Sequence, residues 1–281
     1  MDLPRNINLP FFAYGIFKPG ELAFYRIKEF VKNHSQITVD GNLKIRDGLP
    51  LFDKDGMWHV KGYLLYFNEN SYEESYRRII EIEPDKHYRW DNISICEEKN
   101  EEANILIGRS PNRGSQQSDE SSFNGRNDPL FKEAFQLIDQ TIDESGEYCN
   151  NDYKEFFKLQ MAYLLLWSII EKYVSFRYRL GEDIRKKVLK LSTDDYFCLL
   201  LKENIIEKRE VFRSDKPNDD KIVLDKENPS KCLDYYYQIR SNITHRGKAS
   251  HKDYKKVRLS ILELCKIMKA TIENAFNESA L

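Results

Sequence analysis

Cysteine is scarce in this sequence, and its five cysteines are widely separated: Cys96, Cys149, Cys198, Cys232 and Cys265. None of them forms a CxxC pair and their number is odd, which argues against a disulfide framework and against a cysteine-based zinc site. The histidines also lack the spacing of metal ligands, and no glycine-rich phosphate loop occurs. We therefore expect reduced thiols in a cytoplasmic protein that uses neither a metal ion nor a cofactor.

Long hydrophobic runs are absent too. The longest one, "MAYLLLWSII" at residues 161–170, is too short to cross a bilayer. The first residues do not combine a basic segment with an apolar one, so we predict no secretory signal and no membrane partner. Neither sign of charge dominates, because 44 basic residues are balanced by 46 acidic ones. Any nucleic-acid site must therefore be a local basic patch.

A change in composition divides the chain. Residues 108–129 are rich in Ser, Gly, Asn and Gln and poor in large apolar residues, which is typical of a linker. Before this stretch, short apolar runs predict strands with a few helices, and after it the apolar spacing is helical. We predict a domain at 1–112, a linker at 113–127 and a helical bundle at 128–281. The fold class is α+β, with a mostly antiparallel sheet in the first domain.

The longest predicted helix, residues 153–180, is apolar nearly all round in its middle. Such a helix is normally buried on several sides. We expect the bundle to cover it together with a second subunit, which predicts a homodimer through the helical domain.

The stretch "YYYQIRSNITHRGK", residues 235–248, carries an arginine and a histidine five residues apart near the end of a predicted helix. Five residues along an α-helix correspond to a rotation of about 500°, so Arg240 and His245 lie roughly 140° apart around the axis. Either the helix loosens near His245, or two copies of the chain bring both residues into one cleft. The residues that follow form a basic patch suited to RNA phosphates. This patch consists of Arg246, Lys248, Lys252, Lys255, Lys256 and Arg258.

This stretch follows a long apolar helix and precedes a final amphipathic one, and in this it resembles the abortive-infection-related branch of the HEPN superfamily, over roughly residues 128–277. The resemblance implies a metal-independent ribonuclease that acts on RNA as a homodimer. By position, Arg240 and His245 would be the catalytic pair, supported by Ser241. His245 would transfer protons and Arg240 would stabilise charge on the phosphate. Some HEPN domains only bind or dimerise, and Arg240 would then pair with an acid of the bundle while His245 is an ordinary helix-end residue.

The first half opens on "FFAYGIFKPGELAF", residues 11–24, which predicts a strand, a loop and a helix. Such a turn exposes backbone N–H groups that can hold a carboxylate. The segments "DGLPLF", "VKGYLLYF" and "IIEIEPDKHYRW" follow it in that order.

This order of segments resembles the gamma-glutamylcyclotransferase-like family over roughly residues 8–112. The resemblance implies a small β-barrel with flanking helices, a gamma-glutamyl ligand held by the loop after the first strand, and a glutamate as general acid/base. By position the glutamate is Glu83, with Glu81 as the second choice. The loop residues are Tyr14, Gly15, Ile16 and Phe17. Ile16 and Phe17 differ from the residues usual in the family, and Phe17 is bulky enough to narrow the pocket.

Three functional hypotheses follow from the two resemblances. The leading one is a HEPN ribonuclease that serves as a toxin or antiviral defence effector, with the cyclotransferase-like domain as a sensor or second active site. The alternative is a small-molecule enzyme of the gamma-glutamylcyclotransferase type whose HEPN domain only dimerises it or binds RNA. The third is a non-enzymatic RNA-binding module that uses the basic patch.

Overall fold

A computed structural model of the chain describes residues 1–83, 85–96, 101–147, 153–178, 183–213, 221–246 and 253–281. It contains two structural units. The first comprises Met1–Asp128, Phe176–Gly181 and Ala275–Leu281, and the second comprises Pro129–Ser175 and Glu182–Asn274. Strands and one α-helix make up most of the first unit, and helices dominate the second. The predicted α+β class with a C-terminal helical region is therefore confirmed.

The first unit contains two sheets. A five-stranded sheet has the order β2-β5-β1-β7-β6, and a three-stranded sheet has the order β4-β3-β8. The bounds are β1 Phe11–Ala13, β2 Val31–Asp40, β3 Asn42–Arg46, β4 Leu49–Asp53, β5 His59–Phe67, β6 Tyr88–Cys96, β7 Glu101–Gly108 and β8 Gln116–Gln117. Neighbouring strands are antiparallel except β1 and β7, which pair in parallel.

The predicted closure of these strands into a barrel is wrong, because the sheets do not close. Strands β2 and β6 lie at opposite edges of the five-stranded sheet, and β3, β4 and β8 form a sheet of their own. Closure depends on the tilt and stagger of the strands. The alternation of apolar and polar residues does not encode either quantity, so the residues predicted strands while only the resemblance implied a barrel.

One helix of the first unit, α1 (Tyr72–Ile82), packs against the five-stranded sheet. Its Tyr76 is fully buried and contacts three aromatic rings of the sheet edge-on. The distances between ring centroids are 6.4 Å to Phe11 on β1, 5.5 Å to Phe67 on β5 and 5.4 Å to Trp90 on β6. These edge-to-face contacts fix the position of α1, and with it the position of the residues at its C-terminal end.

The stretch predicted as a linker, residues 113–127, belongs to the first unit. Strand β8 lies in it and pairs with β3. Further along, the carbonyl of Ser121 accepts a hydrogen bond from the N–H of Lys61 at 2.7 Å, and Phe123 is only 7% exposed. A polar composition is thus combined here with ordered backbone pairing.

The second unit is built mainly from helices, with one short hairpin of β9 and β10. The bounds are α2 Pro129–Asp143, α3 Tyr153–Arg177, α4 Ile184–Leu189, α5 Asp195–Asn204, β9 Glu210–Val211, β10 Ile222–Val223, α6 Pro229–Arg246 and α7 Tyr254–Glu278. The last two residues of α3 and the last four of α7 belong to the first unit. Within the described ranges, no helix is long and apolar enough to cross a membrane.

Helix α3 buries most of its apolar residues but leaves one side uncovered. Tyr163, Leu166 and Trp167 are at most 2% exposed. The opposite side carries an apolar stripe, the α3 stripe, which consists of Tyr153, Phe157, Met161 and Leu164. The spacing of four, four and three residues places these side chains on one face. Exposure along the stripe reaches 70% at Met161.

Candidate active site

Glu83 and the loop after β1 meet in one small cavity of the first unit. The loop residues 14–17, here called the site loop, form one side of this cavity, and Glu83 lies at its edge together with residues of β4, β6 and β7. The lining is Phe11, Ala13, Tyr14, Gly15, Ile16, Phe17, Pro50, Glu83, Tyr88 and Leu106. The structure therefore brings together all five residues that the resemblance assigned to the N-terminal site, although they come from two segments far apart in the sequence.

Glu83 reaches the cavity because of where α1 ends. The buried face of α1 includes Tyr76 and Ile79, and Glu83 follows them at positions i+7 and i+4 of the same face. The next residue in the sequence is Pro84, which disfavours helical backbone at the residue before it. Accordingly Glu83 is extended (φ −90°, ψ 110°), while its N–H still donates to the carbonyl of Ile79 at 3.0 Å. The chain leaves the helix here with the carboxyl group turned inward.

Burial changes the chemistry of this carboxyl group. Glu83 is 5% exposed, and among the described residues its Oε2 has no hydrogen-bond partner. Removal from water disfavours the charged form, so burial raises the pKa of Glu83 from 4.5 to about 8. A carboxyl group with a pKa near 8 is mostly protonated at neutral pH and exchanges its proton within the physiological range, as a general acid/base must.

Glu81, the second choice for this role, lies elsewhere. Its side chain is 52% exposed and forms ion pairs with Arg26 and Arg78. Glu81 therefore lies on the surface of α1, whereas Glu83 lines the cavity.

The site loop is held in place by close packing and by the hydroxyl of Tyr14. This hydroxyl donates to the carbonyl of Leu106 at 2.7 Å and accepts from the N–H of Phe52 at 3.0 Å. At Gly15 the chain passes so close to Pro50 that an added Cβ would lie 2.7 Å from its Cγ. The glycine of "YG" and the proline of "GLP" are therefore needed at the same point of the fold.

The backbone of the site loop presents unused donors. Two of its carbonyls are occupied, since Gly15 O accepts from Lys18 N at 2.9 Å and Ile16 O accepts from Ala23 N at 3.0 Å. Among the described residues, the N–H groups of Gly15, Ile16 and Phe17 donate to no acceptor. Successive backbone N–H groups of this kind can bind a carboxylate or a developing oxyanion.

Tyr88, which the sequence did not single out, also lines the cavity. Tyr88 is 2% exposed and its hydroxyl donates to the carbonyl of Pro50 at 2.9 Å. Burial raises the pKa of Tyr88 well above its usual value, and the nearby Glu83 and Tyr14 add to this effect. Tyr88 therefore lines the site as a neutral phenol whose hydroxyl donates a hydrogen bond. The sequence feature that could have identified Tyr88 is its position five residues after Glu83, in "HYRW".

The cavity is narrow in this conformation. Its volume is about 20 Å³, which accommodates about one water molecule. Phe17 contributes to the narrowing as the sequence predicted, because its ring is 2% exposed, lines the cavity and packs edge-on against Phe11. A ligand larger than water requires part of the lining to move.

The raised pKa of Glu83 makes a prediction about stability. The folded state holds the proton of Glu83 up to about pH 8, whereas the unfolded chain releases it near pH 4.5. The stabilising contribution of neutral Glu83 is therefore complete below pH 4.5 and is lost as the pH rises to 8, by about 1.4 kcal/mol per pH unit. Glu83→Gln stays neutral, so its melting temperature minus that of the wild type should increase between pH 5 and pH 8. Above pH 8 this difference should stay constant.

The matched control for this titration is Glu81→Gln. Its exposed carboxylate lies on the same helix, so the difference in melting temperature from the wild type should change little over the same pH range. A Glu83→Gln variant whose difference from the wild type is equally flat would contradict the burial of a neutral Glu83.

In the second unit, Arg240 and His245 lie on different faces of one helix. Helix α6 is continuous through His245 to Arg246, so of the two alternatives the helix does not take the loosened one. Arg240 is half-buried, with its Nη2 3.4 Å from Oε1 of Glu171 and its guanidinium 5.8 Å from the ring centroid of Tyr237. His245 is exposed and Ser241 is half-buried. A single chain therefore does not bring Arg240 and His245 into one cleft.

The described part of the basic patch is already paired. Lys255 is 3.3 Å from Glu207, Lys256 is 3.3 Å from Asp253, and Arg258 Nε donates to Ser145 Oγ at 3.0 Å. Arg246 closes α6, and Lys248 and Lys252 lie outside the described residues. The two ion pairs reduce the positive charge that Lys255 and Lys256 offer to phosphates, and the hydrogen bond to Ser145 engages one donor of Arg258.

Comparison of the chain with family models, with curated proteins and with solved structures found no match in any of the three.

Proposed function

We propose that the first unit is a small-molecule enzyme of the gamma-glutamylcyclotransferase type, with Glu83 as its general acid/base. The observation that supports this proposal is the meeting of a buried glutamate, whose pKa lies near 8, with a loop whose three successive N–H groups have no acceptor among the described residues. An acid/base and an oxyanion-binding backbone within one cavity are the two components that acyl transfer needs.

The reaction would be an internal acyl transfer. The α-amino nitrogen of the substrate attacks the gamma-carbonyl carbon and forms the lactam C–N bond, while the gamma-amide C–N bond breaks. Glu83 in its charged form accepts the proton of the attacking amine and then delivers it to the leaving amine. The N–H groups of Gly15, Ile16 and Phe17 stabilise the negative charge that develops on the gamma-carbonyl oxygen. The products are 5-oxoproline and a free amine.

The direct test is incubation of the purified protein with gamma-glutamyl amino acids and gamma-glutamyl amines in EDTA. Release of 5-oxoproline, measured by liquid chromatography and mass spectrometry, is the expected result. A panel of such substrates that stays intact at high protein concentration would contradict the enzymatic proposal and favour a ligand-sensing role for the same cavity.

A second candidate function, a HEPN-type ribonuclease, is favoured by one observation in the second unit. Met161, Leu164, Ser168 and Glu171 follow one another along a single face of α3 at intervals of three and four residues. The exposed α3 stripe thus continues to Glu171, the ion-pair partner of Arg240. A second copy of the chain on this stripe would place Arg240 at the edge of the interface. A shared cleft could then combine Arg240 and His245 from two subunits, which one subunit cannot do.

Under this second proposal, Arg240→Ala and His245→Ala should each abolish RNA cleavage in EDTA. Loss of a positioned acid/base or of a donor to the phosphate typically costs about 10²–10⁴-fold. The assay is cleavage of a labelled structured RNA. Met161→Glu should have the same effect and should also convert a dimer to a monomer in sedimentation, because it introduces a charge into the α3 stripe.

Arg185→Ala is the matched control for Arg240→Ala. The Arg185 guanidinium lies over the same Tyr237 ring, at 5.7 Å from its centroid, and pairs with Asp234 at 3.3 Å. This variant should cleave RNA like the wild type. If Arg240→Ala and His245→Ala also cleave like the wild type, the two residues are ordinary parts of the helical unit.

A further inference from the structure

Two ionisable residues directly after the site loop are buried beneath a distant segment. Glu21 is 5% exposed and Lys18 is half-buried. Both lie under residues 121–125, here called the strap. Burial of charged groups is costly unless they are paired and hydrogen-bonded, so the partners of Lys18 and Glu21 show what these residues hold in place.

The partners of both residues are in the strap. Lys18 Nζ donates to Ser122 Oγ at 2.8 Å and also to the carbonyl of Phe123. The Glu21 carboxyl group accepts from the N–H of Gly125, which lies 3.2 Å from Oε1 and 3.0 Å from Oε2. Gly125 approaches so closely that an added Cβ would lie 2.5 Å from Glu21 Oε2. The strap is thus attached at two points to the segment that follows the site loop.

The segment that contains Lys18 and Glu21 is connected to the site loop by backbone hydrogen bonds. Lys18 N donates to Gly15 O at 2.9 Å, Glu21 N donates to Lys18 O at 2.9 Å, and Ala23 N donates to Ile16 O at 3.0 Å. Phe17, which narrows the cavity, is flanked by the two acceptors Gly15 and Ile16 on one side and by Lys18 on the other. A displacement of Lys18 or Glu21 therefore shifts the backbone of the site loop, whose residues line the cavity.

We propose that Lys18 and Glu21 are positioning residues through which the strap holds the site loop in its narrow conformation, so that the strap must release before a gamma-glutamyl group can enter. The identity of this ligand rests on the proposed function, but the attachment of the strap to the site loop through Lys18 and Glu21 does not. A closed site with a small open population lowers the apparent affinity for its ligand by the open fraction. The strap is then a device that sets this fraction.

Lys18→Met removes the ammonium group and keeps the length of the side chain. Amide hydrogen exchange, measured by mass spectrometry, should become about tenfold faster in the strap and in residues 18–23, where the N–H groups of Lys18 and Ala23 donate to carbonyls of the site loop, because local opening is no longer opposed by the two contacts. Exchange in β6 and β7 should stay at the wild-type rate, which shows that the unit remains folded. Gly125→Ala, which displaces the Glu21 carboxyl group by steric conflict, should have the same effect by an independent route.

The kinetic readout separates positioning from general damage. If the strap limits entry, Lys18→Met should lower KM for a gamma-glutamyl substrate several-fold and leave kcat unchanged, whereas general destabilisation would raise KM or lower kcat. Asp119→Asn, an exposed change two residues before the strap, should behave like the wild type in both assays.

Faster exchange in the strap without faster exchange in residues 18–23 would overturn the proposal, and so would wild-type exchange in both segments of both variants. If exchange of the two segments rises together but no gamma-glutamyl substrate is turned over, the proposed chemistry fails and the hold of the strap on the site loop stands.

Discussion

Glu83→Gln should lower kcat for a gamma-glutamyl substrate by about 10²–10⁴-fold, because the amide keeps the size of the side chain but cannot carry the proton. The effect should fall on kcat more than on KM, since the proton transfer occurs only in the transition state. In the wild type, kcat/KM should rise with pH up to about 8 as Glu83 loses its proton. This pH dependence should be absent from the residual activity of the variant.

Two controls make this result specific. Glu81→Gln alters the other glutamate of the same helix end and should retain wild-type turnover. The melting temperature of Glu83→Gln at pH 7 should be at least that of the wild type, which excludes unfolding as the cause of lost activity. Equal turnover by Glu83→Gln and the wild type would remove Glu83 from the reaction.

A large effect on stability is expected in the second unit, where Arg209 and Glu263 form a buried ion pair. They are 8% and 2% exposed, and Arg209 Nη1 donates to Glu263 Oε1 at 2.8 Å. Tyr236 also donates to this carboxylate, at 2.8 Å. Glu263→Leu would leave a buried guanidinium without its counter-charge, which typically costs about 3–5 kcal/mol of unfolding free energy. Urea unfolding followed by the fluorescence of Trp167, in a Trp58→Phe/Trp90→Phe background, measures this loss.

The double variant Arg209→Met/Glu263→Leu should recover most of the loss, since replacement of a whole buried pair by apolar residues is often neutral. Glu210→Gln is the matched surface control. Its partner Lys221 lies 2.8 Å away, but both side chains are about half exposed, so the change should leave the free energy of unfolding nearly unchanged. A small effect of Glu263→Leu would mean that Arg209 finds water or another acceptor.

The location of Glu83 was accessible from the sequence because it depends on local rules. The spacing from Tyr76 and Ile79 places it on the buried face of α1, and the proline that follows ends the helix at that point. The same spacing separates Glu83 from Glu81, which does not follow Tyr76 or Ile79 at such an interval. The loop at Tyr14 and Gly15 was likewise indicated by a strand that ends in a turn.

Other features depend on contacts between distant parts of the chain. Glu21 and Gly125 are 104 residues apart, and the polar stretch around Gly125 was predicted to be a linker because composition does not show what its backbone pairs with. The prediction that the strands close into a barrel was wrong for the same reason. The spacing of Arg240 and His245 correctly excluded a common face on one continuous helix, but no spacing within one chain shows where a second chain would bind.

The first unit is assembled from three separate pieces of chain, the last of which is residues 275–281. In that piece, the carbonyl of Ser279 accepts from Gly20 N at 2.7 Å, and Arg177 from the second piece donates to Ser279 Oγ at 3.4 Å. A ribosome synthesises this piece after the whole of the second unit. The first unit, although translated first, can therefore be completed only after the second unit has been made. During synthesis, the turn at Gly20 lacks this partner until residues 275–281 have emerged.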